Sequence, residues 1–145
     1  MLSEEAGYYV SSDDAAISST GYGCVLLSKL KPVREAVCVK LPGTDMGRSI
    51  LCIELPETVR CPACSVATVH LESPEDKSSN RLVRERQMCF LLQKLPSIAK
   101  SENMVLLGDF NAIDETEDQF VHDPFIDVWS LLRNGDPGYT YDAQV

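Results

Sequence analysis

The chain has 145 residues, 44% of them apolar and 24% charged, with six cysteines and a net charge of −9. That is enough chain for one domain with a real core, and the composition is ordinary for a globular protein. No apolar run approaches the ~18 residues of a membrane span. The acidic balance argues against a broad basic face for nucleic acid, though not against a local metal site acting on it.

Met1-Leu2-Ser3-Glu4-Glu5 has neither a basic stretch nor an apolar one. No secretory signal is read there, and a reducing, intracellular setting is expected. Residues 2–7 read as the end of a helix and Tyr8-Tyr9-Val10 as a short strand. Ser11 to Ala16, with Asp13 and Asp14, reads as a turn. Gly21 to Leu27 is a strand candidate, closed by Lys31-Pro32. Ala36 to Leu41 is another, followed by the turn Pro42-Gly43-Thr44-Asp45.

Ser49 to Leu55 and Cys64 to Leu71 are strong strands that should pair as a hairpin. Between them lies Cys61-Pro62-Ala63-Cys64. A zinc knuckle would need further paired ligands and a redox motif would open a helix, so a plain hairpin-tip pair is the expectation. Cys24, Cys38, Cys52 and Cys89 sit inside apolar runs, as small buried hydrophobes do.

Asn80 to Leu95 carries Leu82, Val83, Met88, Cys89, Leu91, Leu92 and Leu95 at helical spacing. Arg81, Arg84, Glu85, Arg86, Gln87 and Lys94 form the opposite, solvated face, and Pro96 ends the helix. Asn103 to Leu107 is a continuous apolar run, expected to be a buried central strand. Phe125 to Leu132 reads as a short helix with Trp129 in the core, Gly135 to Gly138 as a turn, and Tyr139-Thr140-Tyr141 as the start of a strand. Strands lead and helices follow, so the expected class is α/β (α+β), a sandwich of two sheets with outer helices.

Several residues stand out for chemistry. After the apolar run come Gly108-Asp109-Phe110-Asn111. In extended backbone, Asp109 and Asn111 point to one face at a strand's end, where a carboxylate acts as a base or metal ligand and an amide donates to phosphoryl oxygen. The plain alternative is an Asx-type turn. His70 ends the other strong strand, with Glu72 on its face and Val69 and Leu71 on the opposite one. It suits a phosphate donor or a carboxylate partner, and equally a hydrogen-bonded strand-end histidine. His122, beside Asp123-Pro124, reads as surface.

Taken in order, His70-Leu71-Glu72-Ser73, Arg84-x-x-Gln87, Gly108-Asp109-x-Asn111, Asp127-Val128-Trp129 and Tyr139-Thr140-Tyr141-Asp142 form a pattern. It resembles the endonuclease/exonuclease/phosphatase superfamily and, within it, the tyrosyl-DNA phosphodiesterase 2 branch. Gly21-Tyr22 and Arg48-Ser49-Ile50-Leu51 match that branch too.

The resemblance implies a four-layer sandwich of two mixed β-sheets flanked by helices. It implies a hydrolase of phosphodiester bonds that uses Mg2+ or Mn2+ and acts in DNA repair on DNA 5′ ends carrying a tyrosyl adduct. A nuclear location follows from the branch, with the cytoplasm as the other option. Asp109 would orient or deprotonate the attacking water and meet the metal through a water. Asn111 would bind the scissile phosphate, and His70 and Ser73 would complete the phosphate pocket. Arg48 would lie near the substrate.

The family's metal-binding glutamate, in a Leu-Gln-Glu, and its C-terminal histidine, in a Ser-Asp-His, have no counterpart in this sequence. Residues 1–145 are therefore expected to be a partial domain, incomplete at both ends and poorly active alone. A non-catalytic binding module is the alternative, as is a superfamily hydrolase of RNA, lipid or inositol phosphates.

Overall fold

A computed structural model describes residues 6–74, 79–113, 117, 121, 123–133, 135–136, 138 and 140. In chain order the elements are β1 (Tyr9–Ser12), α1 (Asp14–Thr20), β2 (Val25–Ser28), β3 (Val37–Lys40), β4 (Ser49–Leu55), β5 (Cys64–His70), α2 (Ser79–Ile98), β6 (Met104–Asp109) and α3 (Val128–Leu132). The fold is α+β with two sheets. β1 and β2 form an antiparallel pair, and the other sheet has the order β3-β4-β5-β6. In that sheet β3, β4 and β5 pair antiparallel, while β5 and β6 run parallel with α2 as the crossover. A parallel pair requires such a crossover, and a helix is the usual one.

Pairing sets which residues enter the core. Ile50 faces Val69 and Cys52 faces Ala67, so these share one side of the sheet. Against that side α2 lays Met88, Leu91, Leu92 and Leu95, with Leu41 and Leu71 closing the ends. The other side of β4 buries Leu51 and Ile53. A strand buried on both sides reads as a continuous apolar run, as Ser49–Leu55 does.

The buried stripe of α2 is Arg84, Gln87, Met88, Leu91, Leu92 and Leu95. The expected apolar face is thus rotated. Leu82 and Cys89 are exposed, while Arg84 and Gln87, assigned to the solvated face, are buried. Polar side chains enter a core when their hydrogen bonds are met there. Pro96 does not end α2, which runs to Ile98. So near the C-terminus a proline forfeits only one late hydrogen bond. Ala99 N–H still reaches the Leu95 carbonyl at 2.8 Å, and Arg34 donates to the Ile98 carbonyl at 2.7 Å.

Arg34 also anchors the far end of the sheet. Its Nη2 lies 3.0 Å from Glu54 Oε1, which accepts from Lys100 N–H at 2.9 Å, while Glu54 Oε2 accepts from Ser65 Oγ at 2.6 Å. These donors outweigh burial and hold the Glu54 carboxyl below the usual glutamate range.

Other sequence expectations change. The turn assigned to Ser11–Ala16 is the start of α1. Asp13 caps it by accepting from Ala16 N–H, and its other oxygen accepts from Ser49 Oγ of β4. A buried central strand was expected at β6, but among the described residues β6 has only β5 beside it, and Val105 is 43% and Leu107 51% exposed. Of the cysteines expected to be buried, Cys52 is buried, Cys24 is half-buried, and Cys38 and Cys89 are exposed. Cys38 lies on β3, at the other end of the described strand order, and Cys89 on the outer side of α2. Burial and the neighbouring Glu54 push the Cys52 thiol up to about 11. Cys61 and Cys64 are free thiols at the β4–β5 connection. Trp129 is exposed; its Nε1 donates to the Asp136 carbonyl at 3.0 Å, and Arg133 lies 5.8 Å from its ring. The readings of residues 2–5, His122, Tyr139, Tyr141 and Asp142 fall outside the described residues.

Candidate active site

The parallel pairing of β5 and β6 builds the site. In its register His70 sits opposite Asp109, at the ends where both strands finish. Carboxyl ends of parallel strands are where α/β sheets place ligands. The approach of the two strands demands a residue without a side chain. Gly108 has φ +144°, and a Cβ there would come within 2.1 Å of the Val69 carbonyl oxygen. The glycine of the Gly-Asp-x-Asn segment is therefore a packing requirement.

Beyond Asp109 the chain leaves the extended conformation. Asn111 has φ +50°, and its N–H donates to Asp109 Oδ1 at 2.9 Å. This is an Asx turn, the plain alternative considered for this segment, so strand alternation is not what relates the two residues. The turn still brings them together. Asn111 Nδ2 donates to the Leu71 carbonyl at 2.9 Å, which ties the Asp109 loop to the end of β5. One N–H of the amide is engaged there.

His70 is fixed from the opposite side. Arg48 Nη1 lies 2.7 Å from His70 Nδ1. A guanidinium only donates, so Nδ1 accepts and the ring proton sits on Nε2. Nε2 faces Asp109 Oδ2 at 3.5 Å. Burial and the Arg48 charge lower the His70 pKa, against the opposing pull of Asp109 and Glu72. The contact with Asp109 is accordingly that of a neutral imidazole N–H, not an ion pair. Arg48 is itself held by Thr44 Oγ1, which accepts from its backbone N–H at 2.9 Å, and by Met46 Sδ at 3.2 Å from Nη2.

Beside this cluster runs an open groove of about 500 Å3, lined by Thr20, Tyr22, Asp45, Met46, Arg48, His70 and Ser73. A recess of about 60 Å3, lined in part by Cys24, adjoins it at Arg48 and His70. The structure thus gathers Arg48, His70 and Ser73 along the groove, and Asp109 and Asn111 at its His70 end. Glu72 does not share His70's exposed side. It is buried, its N–H donates to Gln87 Oε1 at 2.9 Å, and its carboxylate accepts from Asp45 N–H at 3.2 Å and Gln87 Nε2 at 3.3 Å.

Sequence reasoning missed the groove's wall at Thr20, Asp45 and Met46, and the buried pair Arg84–Glu117. Arg84 Nε and Nη2 meet the Glu117 carboxylate at 2.8 and 2.9 Å, with both side chains buried. The signal available was the helical spacing of Arg84 and Gln87 with Met88, Leu91 and Leu95, which marks them as members of the core stripe.

A divalent ion of the magnesium type takes oxygen ligands, commonly from one or two carboxylates and the substrate's phosphate. Among the described residues no group of three or more histidine, cysteine or acidic side chains gathers to hold a metal. Among the described residues Asp109, Asp45 and the buried Glu72 bring carboxylates near the site, and they do not form such a cage.

No protein-family model matches the chain, and no curated protein sequence does. Solved structures do match, at identities that show a shared fold alone. A humanized D. rerio TDP2 carrying 14 mutations matches with TM-score 0.73 and 23% identity, over 99% of this chain and 57% of that one. D. rerio TDP2 complexed with a single-strand DNA product matches with TM-score 0.68 and 22% identity, over 91% and 51%. ANGEL2, a 2′,3′-cyclic phosphatase in complex with adenosine-2′,3′-vanadate, matches with TM-score 0.57 and 21% identity, over 77% and 35%. The chain thus spans about half of the TDP2 structures it matches, and at this identity the likeness shows the fold.

Proposed function

We propose that this chain carries the water-activating and phosphate-binding part of a phosphodiester hydrolase of the 5′-tyrosyl-DNA type, working in DNA repair. The observation that carries the reading is the register of His70 against Asp109, with Arg48 fixing the imidazole proton on Nε2. It places an N–H donor and a carboxylate side by side at one strand end. A phosphodiester seated there would take a hydrogen bond from His70 Nε2–H on a non-bridging oxygen. Asp109 would hold a water and accept its proton as the water oxygen bonds to phosphorus. The phosphorus–oxygen bond to the leaving group then breaks. A tyrosyl phenol leaves readily, since its pKa is about 10. The second N–H of Asn111 and the Ser73 hydroxyl would hold the remaining oxygens.

Support for DNA as substrate comes from the neighbour with a single-strand DNA product and from the order of motifs along the sequence. In this reading Asp109 would be the residue nearest a magnesium or manganese ion, which would supply positive charge to the phosphate, and the site of action would be the nucleus. Turnover by the purified chain is expected to be slow, because the described residues offer no complete metal cage. That same observation favours the second reading, a module that binds the phosphorylated end without cleaving it.

Side-by-side assays in magnesium or manganese on 5′-phosphotyrosyl oligonucleotide, RNA, sphingomyelin and inositol phosphates test the proposal. Slow release of tyrosine confined to the DNA substrate, and lost in Asp109→Asn, supports it. Binding of 5′-phosphorylated DNA without any release supports the module. Faster turnover of a rival substrate, or release unchanged in Asp109→Asn, contradicts both.

A further inference from the structure

The buried pair Arg84–Glu117 lies outside the reacting groups, yet it touches the segments that hold them. Arg84 and Gln87 stand one turn apart on the inner side of α2. Gln87 Nε2 donates to the Pro42 carbonyl at 3.4 Å and to Glu72 Oε2 at 3.3 Å, which holds the loop leading to Asp45 and Arg48. Arg84 Nη1 lies 3.5 Å from the Glu72 carbonyl, just past His70. Its fork grips Glu117 at 2.8 and 2.9 Å, and Glu117 Oε1 in turn lies 3.4 Å from Ile113 N–H, two residues beyond Asn111.

A planar guanidinium meeting a carboxylate at two points fixes distance and orientation together, which a single hydrogen bond does not. Its burial also screens it little, so the constraint persists in salt. A buried ion pair is weak evidence of stability, because an apolar pair of similar volume often serves as well. Its use here is better sought in geometry.

We infer that Arg84 and Glu117 are positioning residues, a two-point clamp that sets the turn carrying Asp109 and Asn111 against the end of β5. The clamp acts through the backbone of residues 109–113 and touches no substrate. Displacement of a reacting group by about 1 Å is enough to lose on the order of a hundredfold in rate. The inference rests on the phosphate-binding reading for its functional consequence and on the contacts alone for its geometry.

The test compares the full chain with Glu117→Gln and with the double variant Arg84→Met/Glu117→Leu, which removes both charges and keeps the volume. Amide exchange is measured across residues 109–113 and across β4 and β5, well below unfolding. Binding of a short single-stranded DNA is measured with a 5′-phosphate and with a 5′-hydroxyl. The clamp predicts that Asn111 and Ile113 amides exchange about tenfold faster in both variants while β4 and β5 are unchanged, and that preference for the 5′-phosphate falls by a similar factor. Unchanged exchange at Asn111 and Ile113, or retained preference for the phosphate, overturns it. If the unaltered chain shows no phosphate preference, the phosphate reading fails and exchange alone decides the clamp. Failure of both variants to fold makes the pair structural only and overturns the inference.

Discussion

Arg48 Nη1 stands 2.7 Å from His70 Nδ1, so a permanently charged donor decides which nitrogen of the imidazole carries its proton. The charge also lowers the His70 pKa, second to burial. Arg48→Met should therefore raise the His70 pKa and let the Nδ1–H tautomer appear. The chain has two histidines, so nitrogen shifts of the labelled rings, assigned with His70→Gln, read both effects directly. A His70 pKa that stays put in Arg48→Met means the guanidinium does not control the ring.

Gly108 supplies a sharper steric test. A Cβ at this position meets the Val69 carbonyl oxygen at 2.1 Å, on a backbone with φ +144°. Gly108→Ala should cost at least about 2 kcal/mol of stability, from strain and from parting β5 and β6. Urea unfolding measures it. A variant as stable as the parent would show that the strands do not approach this closely.

Acid should weaken the far end of the sheet through Glu54. Its folded pKa lies below the unfolded one, so the carboxylate's contribution is complete above the unfolded pKa and is lost as pH falls toward the folded value. Glu54→Gln should flatten stability across the acid range, with the parent losing more between pH ~5 and pH ~3 than the variant. Equal acid slopes for the two would remove Glu54 from the account.

Thiol reactivity orders the cysteines. Cys38, Cys61 and Cys89 are exposed, whereas Cys52 is buried with its pKa pushed up to about 11. A thiol reagent at neutral pH should label the exposed group first and Cys52 last, after unfolding. Early labelling of Cys52, read by peptide mass, would show β4 to be open.

The sequence carried most of the strand plan. Ser49–Leu55 and Cys64–His70 could be read because buried β-branched and apolar runs bounded by turn residues have few other uses. The α1 helix was hidden because Asp13 is both a turn residue and a helix cap, and only its bond to Ser49 of β4 decides between them. Arg84 and Gln87 were hidden for a related reason. Hydrophobic pattern assigns polar residues to solvent, and their partners Glu117 and Glu72 are distant in sequence. For the site, strand-end position pointed to His70 and Asp109 separately. Their pairing needs the parallel register, which no local pattern encodes.

His70, Arg48 and Asp109 are proposed to form a site for a phosphorylated DNA end. Its most direct test is the His70 ring signal during titration with a short single-stranded DNA bearing a 5′-phosphate, beside the same DNA with a 5′-hydroxyl. The His70 Nε2–H signal should shift with the phosphate and not with the hydroxyl, and Arg48→Met should weaken the response. Identical responses to both DNAs, or no response of His70 to either, would contradict it.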